Sequence, residues 1–85
     1  MKELKELNET VELMLSLDYK ERFKAEYYQT KIRYEKLRKM VNKYMAGTLD
    51  FKPDCSFELL ARQKRHMAEY LHTLEVRAEI EEIEL

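Results

Sequence analysis

Apolar residues in this chain recur in three blocks, each stepping alternately by three and four positions. The first block places Leu4, Leu7, Val11 and Met14 on one stripe of a helix spanning Lys2 to Leu15, widened by Leu13 and Leu15. The second reads Phe23, Tyr27, Thr30, Tyr34, Leu37, Val41 and Tyr44, with Thr30 its one member that is neither apolar nor aromatic. The third reads Leu60, Gln63, Met67, Tyr70, Leu74 and Arg77, flanked by Leu59, Leu71, Ala78 and Ile80. Continued in phase, the first stripe would run into Asp18, Glu21 and Ala25, so the helix breaks near Ser16 to Asp18 and a new one begins. Asp18 followed by Glu21 has the form of a capping box. Gly47, the only glycine, stands where a helix end asks for a left-handed residue. Asp54 or Ser56 caps the last helix, and Glu58 in its first turn complements the dipole. The intervening Thr48 to Cys55 holds the only proline, Pro53, and is short enough to return the chain antiparallel. The pattern predicts an all-α fold in a single domain over 1–85: a short N-terminal helix within 1–17, then a long antiparallel hairpin of helices at 18–46 and 56–82.

Size changes what this hairpin needs. Charged residues make up 39% of the 85 positions, and domains this small bury only roughly 60% of their unfolded surface. Small scaffolds usually add disulfides, a metal or self-association. Cys55 is the only cysteine, which rules out an intrachain bridge, and His66 and His72 stand six apart, a spacing that supports a zinc site poorly. Self-association remains, and the surplus apolar width of the third block points the same way, although an N-terminal helix folded over the hairpin would cover it too; a homo-oligomer without metal or cofactor is expected. No apolar window approaches the ~18 residues of a membrane span, and no signal-like start precedes one. The expected location is cytoplasmic, away from membranes.

Charge is unevenly placed although its total is only −1. Lys20 to Tyr44 carries nine basic residues against three acidic ones, whereas Ala78 to Leu85 carries four glutamates and no base. Beside the apolar seam runs a polar stripe of Tyr19, Arg22, Glu26, Gln29, Arg33 and Lys36 at helical spacing. Arg22 and Glu26 are placed to pair within the helix, while Gln63 and Arg77 are placed to meet the stripe from the opposite helix or another subunit. Arginines and tyrosines gathered at a subunit junction suit a small anionic ligand, because guanidinium binds phosphate through two parallel bonds. The plainer reading of the same residues is a solvated helix face or a polar network that fixes helix register. Duplex nucleic acid is disfavoured, since the acidic termini cancel the long-range field. The chain has no glycine-rich phosphate loop and no serine or cysteine with a base beside it, so a non-enzyme is expected.

Read together, Tyr19-x-x-Arg22-x-x-x-Glu26 and Leu59-Leu60-x-x-Gln63-x-x-x-Met67-x-x-Tyr70-x-x-x-Leu74-x-x-Arg77 resemble the small helical-hairpin proteins of bacteriophages, including a family first named from a crAss-like phage. The resemblance covers roughly residues 18 to 77, and Thr30 departs from it where an apolar residue is usual. In size and plan it is similar to the phage sponge proteins that counter CBASS and Thoeris immunity by sequestering cyclic or ADP-ribose-derived nucleotide signals. The resemblance implies a homo-oligomer that binds a nucleotide messenger without cleaving it, aromatic side chains stacking bases and basic ones holding phosphates. By position and chemistry, the expected site residues are Tyr19, Arg22, Arg33, Lys36, Tyr70 and Arg77. Two rival expectations stand beside this one: an inhibitor that binds a host defence protein through Leu59, Leu71 and Ile80, and a structural oligomerisation module.

Overall fold

The computed structural model describes residues 3–85, so the share of the expected N-terminal helix that falls on residues 1 and 2 lies outside them. The described residues are all-helical, with no strand. A 3-10 turn at Leu7–Thr10 runs into the single-turn α1 (Val11–Met14), followed by the long helices α2 (Tyr19–Ala46) and α3 (Phe57–Glu81).

The ends of the long helices follow from a few side chains. Asp18 caps α2 by accepting the Lys20 amide at 3.0 Å. Glu21 does not reach back to the Asp18 amide as a capping box would. Instead the Ser16 hydroxyl donates to Glu21 Oε1 at 2.7 Å and accepts the Asp18 amide at 3.0 Å, relaying the same charge to the same orphan donor. Gly47 closes α2 with φ of 76°, and the Thr48 amide reaches back to the Lys43 carbonyl at 2.9 Å while the Gly47 amide meets Tyr44 at 3.2 Å. Nothing lies within 4 Å of where a Cβ on Gly47 would sit, so a side chain there meets only backbone strain. Gly47→Ala is expected to lower stability by about 1 kcal/mol, read as a shift of the urea midpoint at unchanged slope. Ser56, not Asp54, caps α3 by accepting the Leu59 amide at 3.2 Å. At the far end Glu82 takes the left-handed conformation, φ 57°, and the Ile83 amide bonds the Ala78 carbonyl at 2.8 Å. This turn carries Ile83 into the core.

Three contacts set the register between α2 and α3: Tyr19 meets Glu81, Tyr27 meets Glu75, and the Tyr44 and Phe57 rings lie 5.2 Å apart. Partners on α3 thus move back along the chain as those on α2 move forward. The shared core consists of Phe23, Tyr27, Tyr28, Leu71, Leu74, Ala78 and Ile83, with Leu4, Tyr34 and Leu85 packed against it. Tyr27 keeps its hydroxyl satisfied inside this core by donating to Glu75 at 2.6 Å, and burial together with that bond pushes its pKa well up. Phe23, Tyr27 and Val41 of the expected α2 seam are buried. Thr30, its polar member, donates its hydroxyl to the Glu26 carbonyl at 2.9 Å, one turn back in its own helix.

Two parts of the expected pattern are corrected. The α3 seam runs through Leu71, Leu74 and Ala78, all buried, whereas Gln63, Tyr70 and Arg77 are exposed. Tyrosine and arginine have long apolar bodies, which let them mimic core positions at the right spacing while keeping their polar ends in water. In the N-terminal segment, helix extends only over Leu7–Met14 rather than to Leu15, and Val11 and Met14 face out. The inward residues are Leu4, Leu7, Thr10 and Leu13, a strict step of three. Leu7 and Thr10 bound the 3-10 turn, in which residues three apart eclipse one another, whereas Leu4 precedes it and Leu13 lies in α1. The segment lies over a second buried row on α2, Ala25, Tyr28 and Ile32, a row that the period read from Phe23 to Tyr44 leaves out. Thr10, fully buried, donates to the Leu7 carbonyl at 2.7 Å and accepts Gln29 Nε2 at 3.0 Å. Lys31 adds an ion pair with Glu3 at 2.7 Å.

Candidate functional site

Tyr19, in the first turn of α2, and Arg77, one turn before the end of α3, are brought into direct contact. Arg77 Nη2 donates to the Tyr19 hydroxyl at 2.7 Å, that hydroxyl donates to Glu81 Oε1 at 2.8 Å, and Arg77 Nε donates to Glu81 Oε2 at 3.0 Å. The three side chains close a ring of charge-assisted bonds on a floor of Phe23. The guanidinium lies 5.0 Å from the Phe23 ring centre and the Tyr19 ring meets it edge-on at 6.2 Å. Lys20 extends the cluster with a 3.4 Å bond to the Glu82 carbonyl.

The electrostatics follow from this geometry. The bond to Glu81 raises the Tyr19 pKa, because an ionised phenol could not donate it. The same carboxylate raises Arg77. Glu81 itself is held below the ordinary carboxylate value of 4.5, first by the Tyr19 hydroxyl and then by Arg77. Glu3 is lowered too, chiefly by its bond to Lys31. A carboxylate whose folded pKa is depressed stabilises the fold above its unfolded value and loses that contribution as pH falls through the folded one. Melting temperature should therefore drop as pH falls below 4.5, and Glu81→Gln should flatten part of that drop. An unchanged acid limb in the variant would show that the ring contributes nothing to stability.

The other expected residues are placed differently. Arg22 does not pair with Glu26; its Nη1 donates to the Ser16 carbonyl at 2.8 Å and so braces the turn before α2. Arg33 is exposed and has no ion-pair partner among the described residues. Tyr70, 42% exposed, sits with Leu59, Gln63, His66 and Met67 in an open groove of about 470 Å³ along α3. Helical spacing puts Tyr19, Arg22, Glu26 and Arg33 on the side of α2 that borders the Arg77 and Tyr70 side of α3. The register between the helices sets Tyr70 about level with the Thr30–Arg33 turn. Five of the six expected residues thus share one face, although only Tyr19 and Arg77 touch. Lys36 is not among them: it lies further round α2, in a cleft against residues 3–6. Gln29, read in the same polar stripe, clamps Thr10 instead. Sequence reading missed Glu81 and Phe23, although both stand four residues from a partner, Arg77 and Tyr19, at the spacing that brings helical side chains together.

This face can present guanidinium groups to phosphates and tyrosine rings to a planar base. It is open to solvent, so one copy touches only one side of a small ligand. Among the described residues, no group of His, Cys, Asp and Glu is placed to hold a metal ion, and no helix is long and apolar enough to cross a membrane. The family model described as Sequestin matches residues 17–80, which takes in α2, the connecting loop and nearly all of α3 but not the N-terminal segment. No curated protein and no solved structure matches the chain.

Proposed function

The chain belongs to the Sequestin family, and on that premise we propose that it binds and sequesters a nucleotide immune messenger, a cyclic oligonucleotide or an ADP-ribose derivative, without cleaving it. Sequestration is the function that the family's name points to. The single observation that carries the choice of ligand is the shared face on which Arg22, Arg33 and Arg77 alternate with Tyr19 and Tyr70. Guanidinium groups take up phosphate oxygens in pairs, and exposed tyrosines offer rings for base stacking. An open face encloses a nucleotide only when a second surface meets it, so the complete site forms between two copies of the α2–α3 hairpin. In this reading the protein is a phage-encoded, homo-oligomeric, non-catalytic anti-defence protein of the host cytoplasm.

The test is a thermal-shift screen of the purified protein against cyclic di- and trinucleotides and ADP-ribose derivatives, with mass in solution measured alongside. Ligand at 100 times its dissociation constant stabilises by ~2.7 kcal/mol, which for a domain of this size is a rise of roughly 10 to 20 °C. No response across the panel would overturn the reading.

A second reading, direct inhibition of a host protein, is favoured by the exposure of Leu59, Val76 and Ile80 along α3. Leu71, which the sequence grouped with that surface, is buried and drops out of it. Co-purification with a host protein in the absence of any nucleotide affinity would select this alternative.

A further inference from the structure

The N-terminal segment lies outside the Sequestin match, and between it and the middle of α2 opens a cleft of about 590 Å³. We propose that this cleft is a second, separate anion site, in which Lys5, Lys36 and Lys39 hold the polyphosphate portion of a ligand. It does not depend on the nucleotide reading of the Tyr19–Arg77 face.

The balance of charges in the cleft supports it. Four lysines and three glutamates line it, but two of those carboxylates are already engaged. Glu3 is paired with Lys31 at 2.7 Å. Glu35 takes the Arg38 fork, with Nη2 at 2.8 Å and Nε at 3.1 Å. Lys5, Lys36 and Lys39 are left without an ion-pair partner among the described residues, with Glu6 lining the same cleft and Lys5 acting on the Glu3 carboxylate only at longer range. Lys36 and Lys39 are one turn apart on the same helix face, where like charges repel, and an anion between them removes that cost. The floor is Leu4 and buried Ile32, and no aromatic ring lines the cleft. A nucleobase would therefore find nothing to stack on, whereas a chain of phosphates would meet ammonium groups from both walls. Because Lys5 comes from the N-terminal segment and Lys36 and Lys39 from α2, an anion held by all three ties the segment down.

The probe is inorganic tripolyphosphate, titrated into the full chain by calorimetry at low ionic strength. Saturable binding near one per chain is expected, weakened about tenfold or more by Lys36→Gln or Lys39→Gln and also by Lys5→Gln. Lys52→Gln, in the connecting loop, should leave it unchanged. Hydrogen exchange of residues 3–10 should slow on binding. Absence of saturable binding overturns the proposal. So does an equal loss in Lys52→Gln, which would mean diffuse attraction to a basic surface. A loss in Arg77→Gln with none in Lys36→Gln would assign the anion to the other face and overturn it too.

Discussion

Leu74→Ala should cost about 3 kcal/mol. Leu74 is 1% exposed at the centre of the cluster that joins Phe23 and Tyr27 to Ala78 and Ile83. Removing its branched end leaves a cavity that rigid helices on both sides cannot close. A domain this small has a total stability of only ~4 to 13 kcal/mol, and each kcal/mol moves its melting temperature by roughly 4 to 8 °C. The variant should therefore melt at least ~12 °C lower. A paired comparison tests which residues of α3 face the core. Leu71→Ala should cost about 2 kcal/mol, whereas Tyr70→Ala should stay within about 0.5 kcal/mol. The reverse order would restore the seam through Tyr70 and Arg77.

Arg77→Gln should separate binding from folding. Its guanidinium bonds Tyr19 and Glu81 on an exposed surface, where ion pairs contribute little to stability, so melting should barely move. On the proposed reading, affinity for the nucleotide should fall about 10- to 150-fold, which corresponds to the ~1.5 to 3 kcal/mol of a hydrogen bond to a charged group. Glu81→Gln makes the opposite prediction for the same site. In the free protein the carboxylate holds Arg77 against Tyr19 and opposes an incoming phosphate, so neutralising it should tighten binding. If Arg77→Gln bound as well as the parent and Glu81→Gln bound no better, the ring would be a clasp between helix ends and the ligand would sit elsewhere.

How much of this was legible from the residues varies along the chain. The boundaries of α2 and α3 were, because Asp18, Gly47 and Ser56 act locally, through their own backbone neighbours. The core-facing side of α3 was not, because Tyr70 and Arg77 satisfy a hydrophobic period with stems that do not need burial. In the N-terminal segment the obstacle was pitch: a period of 3.6 carried from Leu7 assigns Val11 and Met14 inward, whereas the 3-10 turn at Leu7–Thr10 sets Thr10 in line with Leu7, and the row continues in α1 from Thr10 to Leu13. The tail around Ile83 read as an acidic run, and only the left-handed turn at Glu82 turns its isoleucine inward. Of the candidate site, the Tyr19–Arg77 meeting was accessible from two stripes at helical spacing. The diversion of Arg22 to the Ser16 carbonyl was not, since it depends on where the chain bends before α2.

The register between the two long helices also orders events in time. Residues next to the loop, such as Tyr44 and Phe57, close a short stretch of chain, while Tyr19 and Glu81 are 62 positions apart and close the longest. Loop-closure entropy favours zipping from the loop outward, so the Tyr19–Arg77–Glu81 end forms last on the way in. Contacts made after the folding barrier act on the rate of escape from the native state rather than the rate of reaching it. A ligand held at that end would prolong the lifetime of the folded protein while leaving its folding rate nearly untouched.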